Sequence, residues 1–139
     1  MTPRQQILIR ESWAQVVPIA DTAAAIFYDR LFEIDASLRG LFSRTDMASQ
    51  RRNLMQTLGV VVASIDRLET IVPAVEALGR RHAGYGVEAG HFETVGQALL
   101  ETLAIGLGEA FTPEVREAWA TAYGILAGVM QSAAAEIAA

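Results

Sequence analysis

The chain offers few side chains for chemistry. Only two histidines occur among its 139 residues. His82 ends the run Leu78-Gly79-Arg80-Arg81-His82 and stands just before the glycine-rich stretch Gly84-Tyr85-Gly86-Val87-Glu88-Ala89-Gly90. A histidine in that position reads either as a capping or surface residue or as a ligand. His91 follows nine residues later, across the glycine break. The two do not share a helix face and make a poor metal pair, so His91 is read as structural or solvated. The glycine stretch is one residue too long for a dinucleotide fingerprint, and no strand precedes it; a helix stop is the better reading. No serine, histidine and carboxylate set suggests a hydrolase. Tyr28 lies in an apolar run, where a buried hydroxyl needs a partner.

The remaining large side chains, Trp13, Phe27, Phe32, Phe42, Met55, Phe92, Trp119 and Tyr123, read first as core packing. There is no cysteine. That excludes disulfides, thiolate ligands and iron–sulfur clusters. A net charge of −5 lacks the basic footprint of a nucleic-acid binder. No apolar run approaches the roughly 20 residues of a membrane span. The start Met1-Thr2-Pro3-Arg4 goes straight into an amphipathic pattern, unlike a signal peptide. The expectation is one cytoplasmic domain over residues 1–139, with no membrane partner.

The elements that must position these residues read as helices throughout. Thr2-Pro3-Arg4-Gln5 is a capping-box start, followed by an apolar side of Ile7, Ile9, Trp13, Val16 and Val17. Pro18 interrupts that helix or opens the next. Ala24, Ala25, Tyr28, Leu31 and Phe32 fall at helical spacing in a segment from Asp21 onward. Residues 35–42 read as a short helical turn. Asp46 is placed to cap a helix carrying Leu54, Leu58, Val61, Val62 and Ile65. Residues 68–83 read as one helix with Pro73 early in it. A long helix is predicted from about residue 88 to 107, and Thr112-Pro113 repeats the cap-plus-proline start. No alternating run signals a sheet. The fold class is all-α, with about six to eight helices around one core.

Seven segments in series carry a family resemblance: ESWAQVVP, FYDRLF, LFSR, SQRRNLMQTLGVVV, LGRRHAGYGV, HFETVGQALLETL and AWATAYGILAGVM. Over nearly its whole length the chain resembles the globin domain of flavohaemoglobins, and more closely the single-domain bacterial globins. The resemblance implies a globin fold around one haem b. It makes His82 the proximal iron ligand and Phe42 the aromatic at the haem edge. Leu54, Leu78 and Val87 would be further haem contacts, and Arg44 or Arg81 would meet the propionates. Tyr28 and Gln50 would be the distal polar pair over the iron, with Leu54 beside them. Imidazole suits that role because it leaves the sixth position of the iron open.

The resemblance implies binding of oxygen, nitric oxide or carbon monoxide by a carrier, store or scavenger. It also admits a nitric oxide dioxygenase served by a separate reductase, since flavohaemoglobins match only up to their reductase module. A haem-based sensor ranks lower, and a haem-free helical domain is the bland alternative. Two departures bear on activity. Flavohaemoglobins support the proximal histidine with a glutamate and a tyrosine; Tyr123 is retained here, but Ala134 stands at the glutamate position. Glu136 is about 200° further round a helix. Phe92 replaces a tyrosine common in the family. Both changes imply a less anionic histidine and weaker peroxidase-like activation.

Overall fold

In the computed structural model, which describes residues 1–84 and 87–138, the helix starts at Thr2, Asp35, Asp46 and Thr112 each have a side-chain cap, whereas the helix beginning at Ala20 has none. The Thr2 hydroxyl accepts from Gln5 N at 3.1 Å, and the Gln5 side chain accepts from Thr2 N at 3.0 Å. This capping box opens α1 (Pro3–Val16). Pro18 sits in a 3-10 turn, Val17–Ile19, which delivers the chain into α2 (Ala20–Ile34) one residue earlier than predicted. The Asp35 carboxylate accepts from Ser37 N and opens a 3-10 segment, Ala36–Phe42. Asp46 caps α3 (Met47–Ala63) through Ala48 N at 3.2 Å.

The predicted helix over residues 68–83 is two elements: a 3-10 turn, Leu68–Thr70, and α4 (Val72–Gly84). Pro73 is the reason. It lacks an amide proton and its ring clashes with the carbonyl four residues back, so a helix can begin at it but not run through it. The glycine break separates α4 from α5 (Ala89–Leu107); Tyr85 and Gly86 lie outside the described residues. His91 is structural: its Nδ1 accepts from Glu88 N at 2.9 Å in a second capping box. Thr112 caps α6 (Pro113–Ala138) through Val115 N.

The described residues thus contain six α-helices and no strand. None is long and apolar enough to cross a membrane. The main crossings are α4 on α6, α2 across α5 and α1 on α6. Gly79 brings α4 onto α6 backbone to backbone: a Cβ there would lie 2.5 Å from the Met130 carbonyl oxygen. At the α1–α6 crossing, the buried Trp119 indole donates to Ser12 Oγ at 2.9 Å, and Ser12 donates to Leu8 O at 2.7 Å. The apolar side expected of α1 is narrower than read. Ile9 and Val16 are buried, but Ile7 and Val17 are about half exposed: Val17 keeps helical backbone angles and bonds back to Trp13 O, so the helix simply turns these two side chains off the buried face.

Candidate functional site

Two groups of side chains stand out, one on α2 and α3, the other on α4. In the first, Tyr28 is 5% exposed in the middle of α2. Its ring meets Phe27 edge-on at 4.9 Å and Phe42 at 5.6 Å, and Phe32 lies 6.2 Å away. Phe42 is the last residue of the 3-10 segment and is half-buried. The Asp46 cap fixes where α3 begins, which sets Gln50 in its first turn facing α2. There Gln50 Nε2 donates to Tyr28 Oη at 3.1 Å. The sequence required a partner for this hydroxyl, and Gln50 is it. Burial pushes the Tyr28 phenol above its ordinary range, opposed by the Gln50 hydrogen bond and the nearby Arg51 charge. The phenol is therefore protonated at neutral pH. Because Gln50 donates to the oxygen, the phenolic proton is not committed to Gln50.

Leu54 lies one turn beyond Gln50 on the same helix face. It is half-buried and borders an apolar cavity of about 10 Å³ shared with Trp13, Phe27, Met55 and Leu103.

In the second group, His82 occupies the last turn of α4 and is half-buried. Its Nδ1 lies 2.7 Å from the Leu78 carbonyl oxygen. A carbonyl only accepts, so Nδ1 carries the proton and the neutral ring has its lone pair on Nε2. Val87 N donates to the His82 carbonyl at 3.1 Å, so the chain beyond the glycine break is tied back to the same residue. Leu78, expected as an apolar contact, thus also contributes its backbone oxygen. Only its position four residues before the histidine signals that.

The two groups are carried by helices that do not close on one another. α4 packs on α6 and makes no extensive contact with α2 or α3. Arg44 and Arg81 are both exposed and form no ion pair among the described residues. Tyr123 Oη donates to the Phe92 carbonyl at 2.5 Å, and its ring lies against Gly96. Its hydroxyl proton is therefore engaged with α5. Ala134 is half-buried on α6, and the Glu136 side chain lies outside the described residues. No cluster of three or more histidine, cysteine or carboxylate side chains capable of holding a metal occurs among the described residues.

Comparison with known proteins bears on the fold and family. The globin family model matches residues 25–130. A flavohaemoprotein of Bacillus subtilis is 35% identical over 109 residues, covering 77% of this chain and 27% of the relative. A flavohaemoprotein of Rhodopirellula baltica is 31% identical over 88% of this chain and 30% of its own. The chain therefore spans less than a third of these relatives. Zebrafish (Danio rerio) neuroglobin is 29% identical over 94% of this chain and 90% of its own length. Among solved structures, an engineered carbene transferase from Rhodothermus marinus, named for a proposed nitric oxide dioxygenase activity, superposes with a TM-score of 0.88 at 26% identity. That match covers 99% of this chain and 95% of the other.

Proposed function

The chain belongs to the globin family, and we propose that it holds one haem b through His82 Nε2 and reversibly binds a diatomic gas beside Tyr28 and Gln50. The observation that carries this reading is the His82 Nδ1–H bond to Leu78 O. It presets the ring in the tautomer and orientation that an iron ligand requires. The flanking side chains fit a flat apolar cofactor. Phe42, Leu54, Leu78 and Val87 are each half-buried rather than sealed into the core. The helices bearing His82 and Gln50 are not packed tightly together.

When bound, the haem supplies a ferrous iron with one position open to oxygen, nitric oxide or carbon monoxide. His82 anchors it, and its hydrogen bond to Leu78 resists rotation of the ring. Tyr28 stays protonated in its buried setting and donates toward a gas molecule that gains negative charge. Gln50 holds the phenol oxygen in place from α3. The propionates are assigned to Arg44 or Arg81. A cytoplasmic setting is part of the proposal, and a cysteine-free chain needs no oxidising compartment.

The test is the absorption spectrum of the purified protein and of His82→Ala. A haem Soret band at one haem per chain in the parent, lost or misligated in the variant, supports the reading. A normal five-coordinate ferrous spectrum in the variant removes His82 from it. Likeness to the Rhodothermus marinus structure favours a second reading, a nitric oxide dioxygenase working with a separate reductase. Sustained NADH-dependent nitric oxide consumption with an added reductase separates it from a carrier or store.

A further inference from the structure

All eleven cationic side chains of this protein are arginines, and they are unevenly placed. Residues 39–52, which carry Phe42 and Gln50, hold four arginines and one acid, a local charge of +3. α4 (Val72–Gly84), which carries Leu78 and His82, holds two arginines and Glu76, a local charge of +1. The whole chain is −5, so the remaining residues sum to −9. An acidic protein thus concentrates its positive charge in the two segments that bear the proposed site.

The pairing pattern sharpens this. Away from the site, Arg4, Arg10, Arg30 and Arg67 are each ion-paired, and Arg116 is the exception among the described residues. Around the site, the described ion pairs reduce to Arg80 with Glu76 at 4.0 Å. Arg39 lies 5.0 Å over the Phe32 ring, within the Tyr28–Phe42 aromatic group, and Arg51 is close enough to Tyr28 to act on its phenol. Arg52 reaches Ser49, and Arg44 and Arg81 point to solvent. Two propionates would neutralise at most two of the six arginines.

Resting on the haem reading, we infer that this arginine-flanked edge is the docking surface for an acidic one-electron donor protein that reduces the ferric iron. The step moves one electron: the donor's reduced centre is oxidised and the iron goes from ferric to ferrous. Arginine suits the role because its planar fork takes carboxylates two-point, while the negative remainder of the molecule turns an acidic partner away from every other face. An anionic membrane surface is the competing occupant. The donor is favoured because the charge gathers at the element ends holding the proposed iron site, where Leu41 is the one exposed large apolar side chain among the described residues of these segments.

The experiment mixes the ferric haem-loaded protein with a reduced acidic plant-type [2Fe–2S] ferredoxin and follows the Soret change by stopped flow. The expected rate falls about tenfold or more between low ionic strength and 0.3 M salt. With the methyl viologen radical cation as reductant, it does not fall. Arg39→Glu with Arg52→Glu slows the ferredoxin reaction at low salt about tenfold, with circular dichroism and Soret position unchanged; Arg116→Glu does not. A salt-independent ferredoxin rate, or equal slowing by Arg116→Glu, overturns the proposal. So does loss of phosphatidylserine-vesicle binding in the double variant with an unchanged ferredoxin rate. Failure of the haem reading shows separately, as a missing Soret band before any donor is added.

Discussion

Replacing Tyr28 by Phe tests the distal group most directly. The substitution removes one oxygen and leaves the ring packed against Phe27 and Phe42. It also strips Gln50 Nε2 of its acceptor. A hydrogen bond to a group carrying charge contributes roughly 1.5–3 kcal/mol, or about 10- to 150-fold in a dissociation rate. Oxygen release, measured by stopped-flow displacement, should accelerate within that range. Carbon monoxide, which gathers little charge when held, should leave at nearly its original rate. Gln50→Leu should accelerate oxygen release less, since in this geometry Gln50 acts through the phenol. The double variant should fall short of the product of the two effects, because both groups serve one ligand. Equal acceleration of both gases by Tyr28→Phe would mean altered packing. No acceleration of either would place the phenol away from the ligand.

Three further outcomes are expected. Gly79→Ala must push α4 off α6, since its Cβ would fall within 3 Å of three Met130 backbone atoms; a loss of roughly 1–3 kcal/mol should appear in urea unfolding, and an unchanged midpoint would contradict the crossing. Ser12→Ala leaves the Trp119 indole N–H buried without its partner and should cost about 1–3 kcal/mol, whereas adding Trp119→Phe should cost less than the single losses combined. Burial raises both Tyr28 and Tyr123, so the folded chain keeps two phenolic protons that the unfolded chain releases near pH 10. Their contribution is present below about pH 10 and is lost as the pH rises above it, so stability should fall there, and ultraviolet titration should show these phenols ionising only as the fold opens.

How far the sequence speaks depends on the range of the interaction. The caps at Thr2, Asp46 and Thr112 were legible because donor and acceptor lie within three residues. The boundary at Val72 was hidden inside a periodic run, although Pro73 marks it once its clash with the preceding turn is weighed. Tyr28 announced that it needs a partner, but Gln50, 22 residues away on another helix, followed only from the family resemblance. His82 alone remained ambiguous between cap and ligand; its bond to the Leu78 carbonyl depends on one ring torsion, which no spacing specifies. The closeness of Gly79 to Met130 arises where two helices cross, so nothing local to residue 79 signals it.

That crossing also sets an order of events during synthesis. The helix carrying His82 leans chiefly on α6, whose contact residue Met130 is made 51 residues after Gly79. At ribosomal speeds of roughly 5–20 residues per second, α4 waits several seconds with no surface to lie on. α1 waits in part as well: it meets α3 and α5 earlier, but its Trp119 anchor belongs to α6. A nascent chain halted near residue 110 would therefore carry Tyr28, Gln50 and His82 and still lack the helix against which α4 packs. On the haem reading proposed above, cofactor capture waits for α6 to emerge from the exit tunnel.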